Sequence, residues 1–105
     1  MKFDHVAIIS NNIPEAVSWY KKTWGADILY QDDTWGLIEL NGIKIAFVTP
    51  SQHPAHICFE VEEKFIYEKL ENKTFKGHRD GSSSCYVRDP DGNFIEFLYW
   101  PKEQN

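Results

Sequence analysis

The sequence has few cysteines and no long hydrophobic run. Its two cysteines, Cys58 and Cys85, lie in apolar, strand-like stretches without CxxC spacing, so we expect both to be reduced and buried, with no disulfide or metal role. No apolar run approaches the roughly 18 residues that a membrane span requires, and the first residues lack the pattern of a signal peptide. These absences predict a cytoplasmic protein with no membrane partner.

The sequence also lacks a concentration of positive charge. It has 11 Lys and Arg against 16 Asp and Glu, which gives a formal net charge of −5. Without a basic stripe, nucleic acid is not expected as a partner. Aromatic residues, by contrast, make up 15% of the chain and hydrophobic residues 42%, which argues against disorder. The length, 105 residues, predicts one domain, residues 1–105.

Hydrophobic periodicity predicts two helices among several short strands. The first helix is predicted over residues 13–24, with a cap at Asn11-Asn12 and a stop at Gly25. Asn41-Gly42 is a strong two-residue hairpin signal. The second helix is predicted over 62–72. Strands are predicted over 3–10, 26–31, 34–40, 43–48, 55–61, 83–88 and 94–100, with an irregular stretch and a possible short strand over 75–82 and a frayed polar tail over 101–105.

The chain contains an internal repeat in which each half begins with a strand and a helix. The first half spans about residues 1–50 and the second about 55–101. His5 and His56 open the two halves and are 51 positions apart. Ala46 in the first half corresponds to Glu96 in the second, 50 positions later. The two halves therefore share a histidine but differ at the position of the carboxylate.

Residues 89–98 form a predicted tight turn followed by a strand. Glu96 is surrounded by apolar positions on both faces of this strand, so we expect a buried carboxylate that needs a partner, commonly a cation or a metal. Two imidazoles and a carboxylate are a common ligand set for a divalent metal, which makes His5, His56 and Glu96 candidate ligands. The alternative is that the histidines are hydrogen-bonded core residues around a metal-free cleft.

Other polar and aromatic residues are weaker candidates. Glu39 could be a base in a cleft, although a solvated strand-end carboxylate is the more common case. Trp35, Phe94 and Trp100 fall on strands that could line a small-molecule site, but core or dimer packing explains them equally well. Glu60 lies four residues after His56, about 13 Å along a strand, and is too distant for the same ligand set.

The polar residues around position 80 are also weak candidates. His78, Arg79 and Asp80 lie in an irregular segment of the kind that often contacts substrates. The serines at 82–84 are predicted as a strand entry and not as a nucleophile site, because no His/Asp partner is indicated nearby. His53 is expected to be exposed in a linker between the two halves.

Four stretches resemble the vicinal oxygen chelate superfamily, the group of glyoxalase I, bleomycin-resistance proteins and extradiol dioxygenases. They are residues 3–8, 13–20, 55–59 and 89–97, and the last of them, Asp-Pro-Asp-Gly-Asn-Phe-Ile-Glu-Phe, is the most specific. The resemblance implies an α+β fold of two βαβββ modules whose mixed sheet curls around a cleft. It also puts His5, His56 and Glu96 on metal-ligand positions and implies a small-molecule substrate and a homodimer.

The resemblance also implies a fourth ligand position, which in glyoxalase I and methylmalonyl-CoA epimerase carries Glu or Gln. Here that position is Ala46, whose methyl group can neither bind a metal nor accept a proton, which argues against glyoxalase I activity itself. The resemblance therefore implies a divalent metal (Zn, Mn, Fe, Co or Ni), Glu96 as the catalytic ligand, and lyase, isomerase or transferase chemistry on a small oxygen-rich substrate. The alternative is a non-catalytic protein that binds and sequesters a small molecule, of the bleomycin-resistance type.

Overall fold

The computed structural model describes residues 1–101 and divides the chain into two compact units. The first unit is His5–Ile57, and the second contains Met1–Asp4 and the described residues from Cys58 to Pro101. The predicted polar tail lies, apart from Pro101, outside the described residues. The described residues form a mixed sheet of eight strands, together with two helices. Along the chain the elements are β1 Lys2–Ile9, α1 Ile13–Trp24, β2 Asp27–Gln31, β3 Trp35–Leu40, β4 Ile43–Val48, β5 His56–Glu60, α2 Glu63–Lys69, β6 Lys76–Gly77, β7 Ser83–Arg88 and β8 Phe94–Tyr99.

This order confirms the prediction of an α+β fold built from two βαβββ modules. The bounds of α1, β4 and β7 are those predicted from the sequence. No helix in the described part of the chain has the length and apolar character needed to cross a membrane. Both cysteines are free and buried, as predicted. The prediction of a single domain stays a prediction.

The first unit packs α1 against one face of strands that lie in the order β2-β3-β4-β1. β3 is antiparallel to both of its neighbours, and β4 runs parallel to β1. The β3–β4 turn has φ of 53° at Asn41 and 81° at Gly42, the positive values that the predicted hairpin turn requires. The buried core between helix and sheet consists of Ile13, Val17, Ala26, Ile38 and Phe47.

Capping residues determine where α1 begins and ends. The Asn12 side chain accepts a hydrogen bond of 3.1 Å from the backbone N–H of Glu15, which satisfies one of the unpaired donors of the first turn. Gly25 ends the helix in the left-handed conformation, with φ of 75°. Gly36 lets the helix approach β3 closely, because a Cβ there would lie 2.9 Å from Cγ2 of Val17.

The second unit has strands in the order β5-β8-β7-β6. Phe97 on β8 packs against Phe59 on β5 and Phe65 on α2, with ring centroids 6.3 and 5.3 Å apart. Helix α2 ends at Lys69 and is shorter than predicted. The chain turns here because the N–H of Lys73 donates to the carbonyl of Leu70 at 2.9 Å, and buried Leu70 anchors the turn.

The β7–β8 hairpin places Glu96 opposite Tyr86. Its turn is held by the Asp89 carboxylate, which accepts hydrogen bonds from the backbone N–H and side-chain amide of Asn93 at 2.9 and 3.0 Å. These bonds, the Asn93 side chain first, lower the pKa of Asp89. Gly92 completes the turn with φ of 85°. The sequence motif therefore fixes the register that positions Glu96.

Candidate metal centre

His5 and His56 are neighbours in the first unit. Their Nε2 atoms are 3.4 Å apart, and the ring planes are nearly perpendicular, at 75°. His56 is buried, with 8% of its surface exposed, and its Nδ1 lies 2.8 Å from the carbonyl oxygen of Pro54. A carbonyl can only accept, so Nδ1 carries the proton and the neutral ring presents a lone pair at Nε2. This is the tautomer in which His56 could bind a metal through Nε2.

The separation of the two Nε2 atoms fits a shared metal ion. Two nitrogen ligands at the usual 2.0–2.1 Å from one tetrahedral ion lie roughly 3.3–3.4 Å apart. The observed 3.4 Å is therefore the separation expected of two ligands of one ion. It is also within the limit of a long hydrogen bond between His5 and His56.

Glu96 lies on β8 in the second unit, and it is buried, with 8% of its surface exposed. The Ser84 hydroxyl donates to its Oε2 at 2.8 Å. Burial above all, followed by the charge of Glu96 and a hydrogen bond to it, raises the pKa of the Cys58 thiol. Burial, followed by the charge of Glu96, also raises the pKa of Tyr86. The predicted buried carboxylate is confirmed, and the neutral Ser84 hydroxyl is one of its partners.

Ala46 contributes only apolar surface to the first unit. It is 3% exposed and lies opposite Ala7 on β1 and Leu37 on β3. These residues and Val48 form a small apolar cluster. Because His5 and Ala7 are two positions apart on one strand, their side chains share a face of the sheet. The position that the family resemblance implies for a fourth ligand is therefore a methyl group packed in an apolar wall on the face of His5.

Glu39 lies on β3, opposite Lys44 on one side and Asp27 on the other. β3 is two strands away from β1, which corresponds to about 10 Å at the usual strand spacing. Among the described residues, the groups of three or more possible ligand atoms within 4.8 Å of one another do not include Glu39. A role for Glu39 toward a substrate stays a prediction.

The three aromatic candidates lie in different surroundings. Trp35 stacks on Tyr30, with ring centroids 4.7 Å apart. The ring of Phe94 lies under the guanidinium group of Arg88, 4.6 Å from its centroid. Trp100 donates from Nε1 to a carboxylate oxygen of Glu60 at 2.8 Å and lines an open groove beside α2. Their predicted contact with a substrate stays a prediction.

The sequence did not predict the hydrogen bonds that link His78 to Ser84 and Ser84 to Glu96. The predicted strand entry is confirmed, since β7 begins at Ser83, but Ser84 also bonds to Glu96, and His78 Nε2 lies 2.6 Å from the Ser84 hydroxyl. A signal was present: the hairpin register puts Ser84 and Tyr86 on the face of Glu96. Nothing in the irregular segment indicated that His78 reaches this serine.

Comparison with known proteins gives one family and several similar folds. A family model described as the Glyoxalase/Bleomycin resistance protein/Dioxygenase superfamily matches residues 2–97. A superfamily member of that description from Vibrio splendidus 12B01 has a similar structure, with a TM-score of 0.69 and 14% identity over 93% of this chain and 99% of that one.

Two methylmalonyl-CoA epimerases also have similar structures. The enzyme from Mycobacterium tuberculosis gives a TM-score of 0.72 with 13% identity, over 96% of this chain and 89% of that one. The enzyme from Streptomyces coelicolor gives 0.71 with 13% identity, over 97% and 99% of the two chains. At these identities the likeness is one of fold.

Proposed function

Because the chain belongs to the Glyoxalase/Bleomycin resistance protein/Dioxygenase superfamily, we propose that it is a metal-dependent enzyme acting on a small oxygen-rich substrate. In this proposal His5, His56 and Glu96 hold one divalent cation, which is Zn, Mn, Fe, Co or Ni. The observation that carries the proposal is the pair of Nε2 atoms 3.4 Å apart, together with the proton that Pro54 holds on Nδ1 of His56. Three protein ligands are the usual number in a catalytic zinc site.

The residues around these ligands have two roles in the proposal, beside the cation and the ligands themselves. When bound, the cation supplies Lewis acidity that polarises a substrate carbonyl or stabilises an oxyanion. Pro54 fixes the ring orientation and tautomer of His56. The apolar cluster of Ala7, Ala46 and Val48 excludes water from the face that carries His5, which strengthens electrostatic interactions there. Glu96 is the proposed catalytic group.

The reaction proposed is of the lyase, isomerase or transferase type. Ala46 offers no carboxylate to take a substrate proton, so the proposal leaves the proton acceptor unassigned, with Glu39 as one candidate. Two proteins of similar fold are methylmalonyl-CoA epimerases, and acyl-CoA esters are therefore among the small molecules to assay. A cytoplasmic homodimer is also part of the proposal, and light scattering on purified protein tests the dimer.

Metal analysis of protein purified without chelator tests the proposed site. We expect about one equivalent of divalent metal in the wild type and loss of that metal in His56→Ala and Glu96→Gln. His53→Ala is the matched control, because it removes a histidine that the proposal leaves out of the ligand set. Wild-type protein that stays empty after incubation with each of the five metals, or full metal content in His56→Ala, would contradict the proposal.

A second candidate function is binding without catalysis, as in a sequestering protein. The specific observation that favours it is the buried, apolar surroundings of Ala46, which leave the first unit without the carboxylate found in glyoxalase I. Treatment with a chelator separates the two functions. Small-molecule binding that survives chelation, with no turnover in metal-loaded protein, favours sequestration, whereas turnover that chelation abolishes and added metal restores favours the enzyme.

A further inference from the structure

Three side chains, linked by hydrogen bonds, lead from the surface of the second unit to its buried carboxylate. We call them the hydrogen-bond chain. His78 is exposed, Ser84 is 4% exposed and Glu96 is 8% exposed. His78 Nε2 lies 2.6 Å from the Ser84 hydroxyl oxygen, and this hydroxyl lies 2.8 Å from Oε2 of Glu96. The first separation is shorter than the usual N–H···O distance of about 2.9–3.0 Å, and the second is the usual distance of an O–H···O hydrogen bond.

The donors in this chain have one consistent direction. An ionised carboxylate can only accept, so the single proton of the Ser84 hydroxyl points at Glu96. The hydroxyl oxygen must then accept from His78, which requires a proton on Nε2 of the imidazole. Every donor thus points inward, toward the carboxylate.

The turn before β7 holds His78 in place for this bond. The backbone N–H of His78 donates to the carbonyl of Ser82 at 2.8 Å, and the N–H of Gly81 donates to the carbonyl of His78 at 3.1 Å. Asp80 braces the same turn, because its carboxylate accepts from the N–H and hydroxyl of Ser82 at 2.9 and 2.6 Å. The backbone around the imidazole is therefore fixed by four hydrogen bonds.

We propose that Ser84 and His78 are positioning residues, which hold the Glu96 carboxylate in one orientation for cation binding. Ser84 acts directly on the carboxylate, and His78 acts through Ser84 by fixing the direction of its hydroxyl. The role that we give to these hydrogen bonds rests on the proposed function, but the hydrogen bonds themselves are a property of the metal-free protein. The two can therefore be tested separately.

The tautomer of His78 is the first test. In metal-free protein, at a pH where the imidazole is neutral, long-range ¹H–¹⁵N correlation spectra are expected to show the Nε2–H tautomer for His78. Ser84→Ala removes the acceptor and should give a mixture of tautomers, while Ser84→Thr keeps a hydroxyl and should keep the wild-type pattern. An Nδ1–H tautomer in the wild type, or an unchanged pattern in Ser84→Ala, would contradict the hydrogen bond from His78 to Ser84 and so overturn the proposal.

Metal affinity is the second test, with Co²⁺ titration and its visible spectrum as the readout. Loss of an outer partner of a metal ligand typically lowers affinity about 10- to 100-fold, and we expect a loss in that range for Ser84→Ala. His78→Leu should weaken binding, and His78→Gln should restore it because an amide can also donate to Ser84. Arg79→Ala, next to His78 in the same turn, is the control and should leave affinity unchanged.

The outcomes separate the two proposals. If the wild type binds Co²⁺ and loses it in His56→Ala, but Ser84→Ala and His78→Leu bind with wild-type affinity and spectrum, the positioning role is wrong and the proposed function stands. If the wild type keeps the Nε2–H tautomer but binds no metal, the hydrogen-bond chain exists, and both the cation site and the purpose we assign to the chain are wrong.

Discussion

Replacing Ala46 with Glu would test whether its surroundings are as apolar as the structure indicates and whether metal binds on the face of His5. Ala46 is 3% exposed and lies opposite Ala7. Ala7 is two residues from His5, about 7 Å along the strand. A glutamate here would enter an apolar wall in metal-free protein, and in the proposed enzyme it would stand at the position of the fourth ligand of glyoxalase I.

The cost of this carboxylate follows from its ionisation. Burial raises the pKa of a carboxyl group by up to about 3–5 units, from about 4.3 for an unperturbed Glu. At pH 7 the folded protein can protonate the group instead of burying its charge. Protonation costs about 1.4 kcal/mol for each pH unit above 4.3, which gives about 3.7 kcal/mol of unfolding free energy at pH 7. At pH 5 the same cost is only about 1 kcal/mol. Because the folded-state pKa is raised, stability falls as pH increases above the unfolded-state pKa.

Urea unfolding of Ala46→Glu and Ala46→Gln at pH 5 and pH 7 measures this difference. The Gln variant has nearly the same bulk but no charge, so the difference between the two variants should grow by up to about 2.7 kcal/mol from pH 5 to pH 7. Added Co²⁺ or Zn²⁺ should stabilise the Glu variant more than the Gln variant. Equal pH dependence in the two variants would refute the apolar environment of Ala46, and equal stabilisation by metal would refute its proximity to the ion.

Three further predictions concern stability and reactivity. Gly36→Ala should cost about 1–3 kcal/mol of unfolding free energy, because the new Cβ would lie 2.9 Å from Cγ2 of Val17 and 3.1 Å from Cγ2 of Ile13; an unchanged urea midpoint would contradict this close approach. Asn12→Ala should cost about 1 kcal/mol through loss of the helix cap, while Asn12→Asp should keep most of it. Cys58 should resist thiol reagents at pH 8 in native protein and react in urea, because burial raises the pKa of its thiol; rapid labelling of the native state would contradict the burial.

The two helices show why some element bounds could be predicted from the sequence and others could not. Asn12 and Gly25 mark both ends of α1 with residues whose conformations and hydrogen bonds favour a terminus, and the predicted bounds were confirmed. Helix α2 has no such markers. Glu62 precedes it without a side-chain capping bond, and the chain leaves the helix at Leu70 with φ of −129°. Its C-terminal end is set by the burial of Leu70 and the following turn, which local sequence does not specify.

The repeat made part of the candidate site predictable. His5 and His56 occupy equivalent positions in two modules, so the sequence indicated that they lie on the same relative face, and the family resemblance put both on ligand positions. The structure brings their Nε2 atoms to 3.4 Å. The bond from His78 to Ser84 could not be predicted in this way. It depends on a two-residue strand, Lys76–Gly77, and on a turn braced by Asp80, which have no counterpart in the periodicity of the sequence.

The surroundings of Glu96 weaken the inference from its burial to a metal. A buried carboxylate needs a partner, commonly a cation or a metal, and the Ser84 hydroxyl already supplies one by donating to Glu96. A hydrogen bond to a charged group contributes about 1.5–3 kcal/mol, which offsets part of the several kcal/mol that burying one charge costs. Burial of Glu96 is therefore compatible with a metal-free protein. The imidazoles give the metal proposal its stronger support, because the 3.4 Å between the Nε2 atoms of His5 and His56 is the separation expected of two nitrogen ligands of one ion. For this reason metal content in His56→Ala decides the proposal more sharply than any substitution of Glu96.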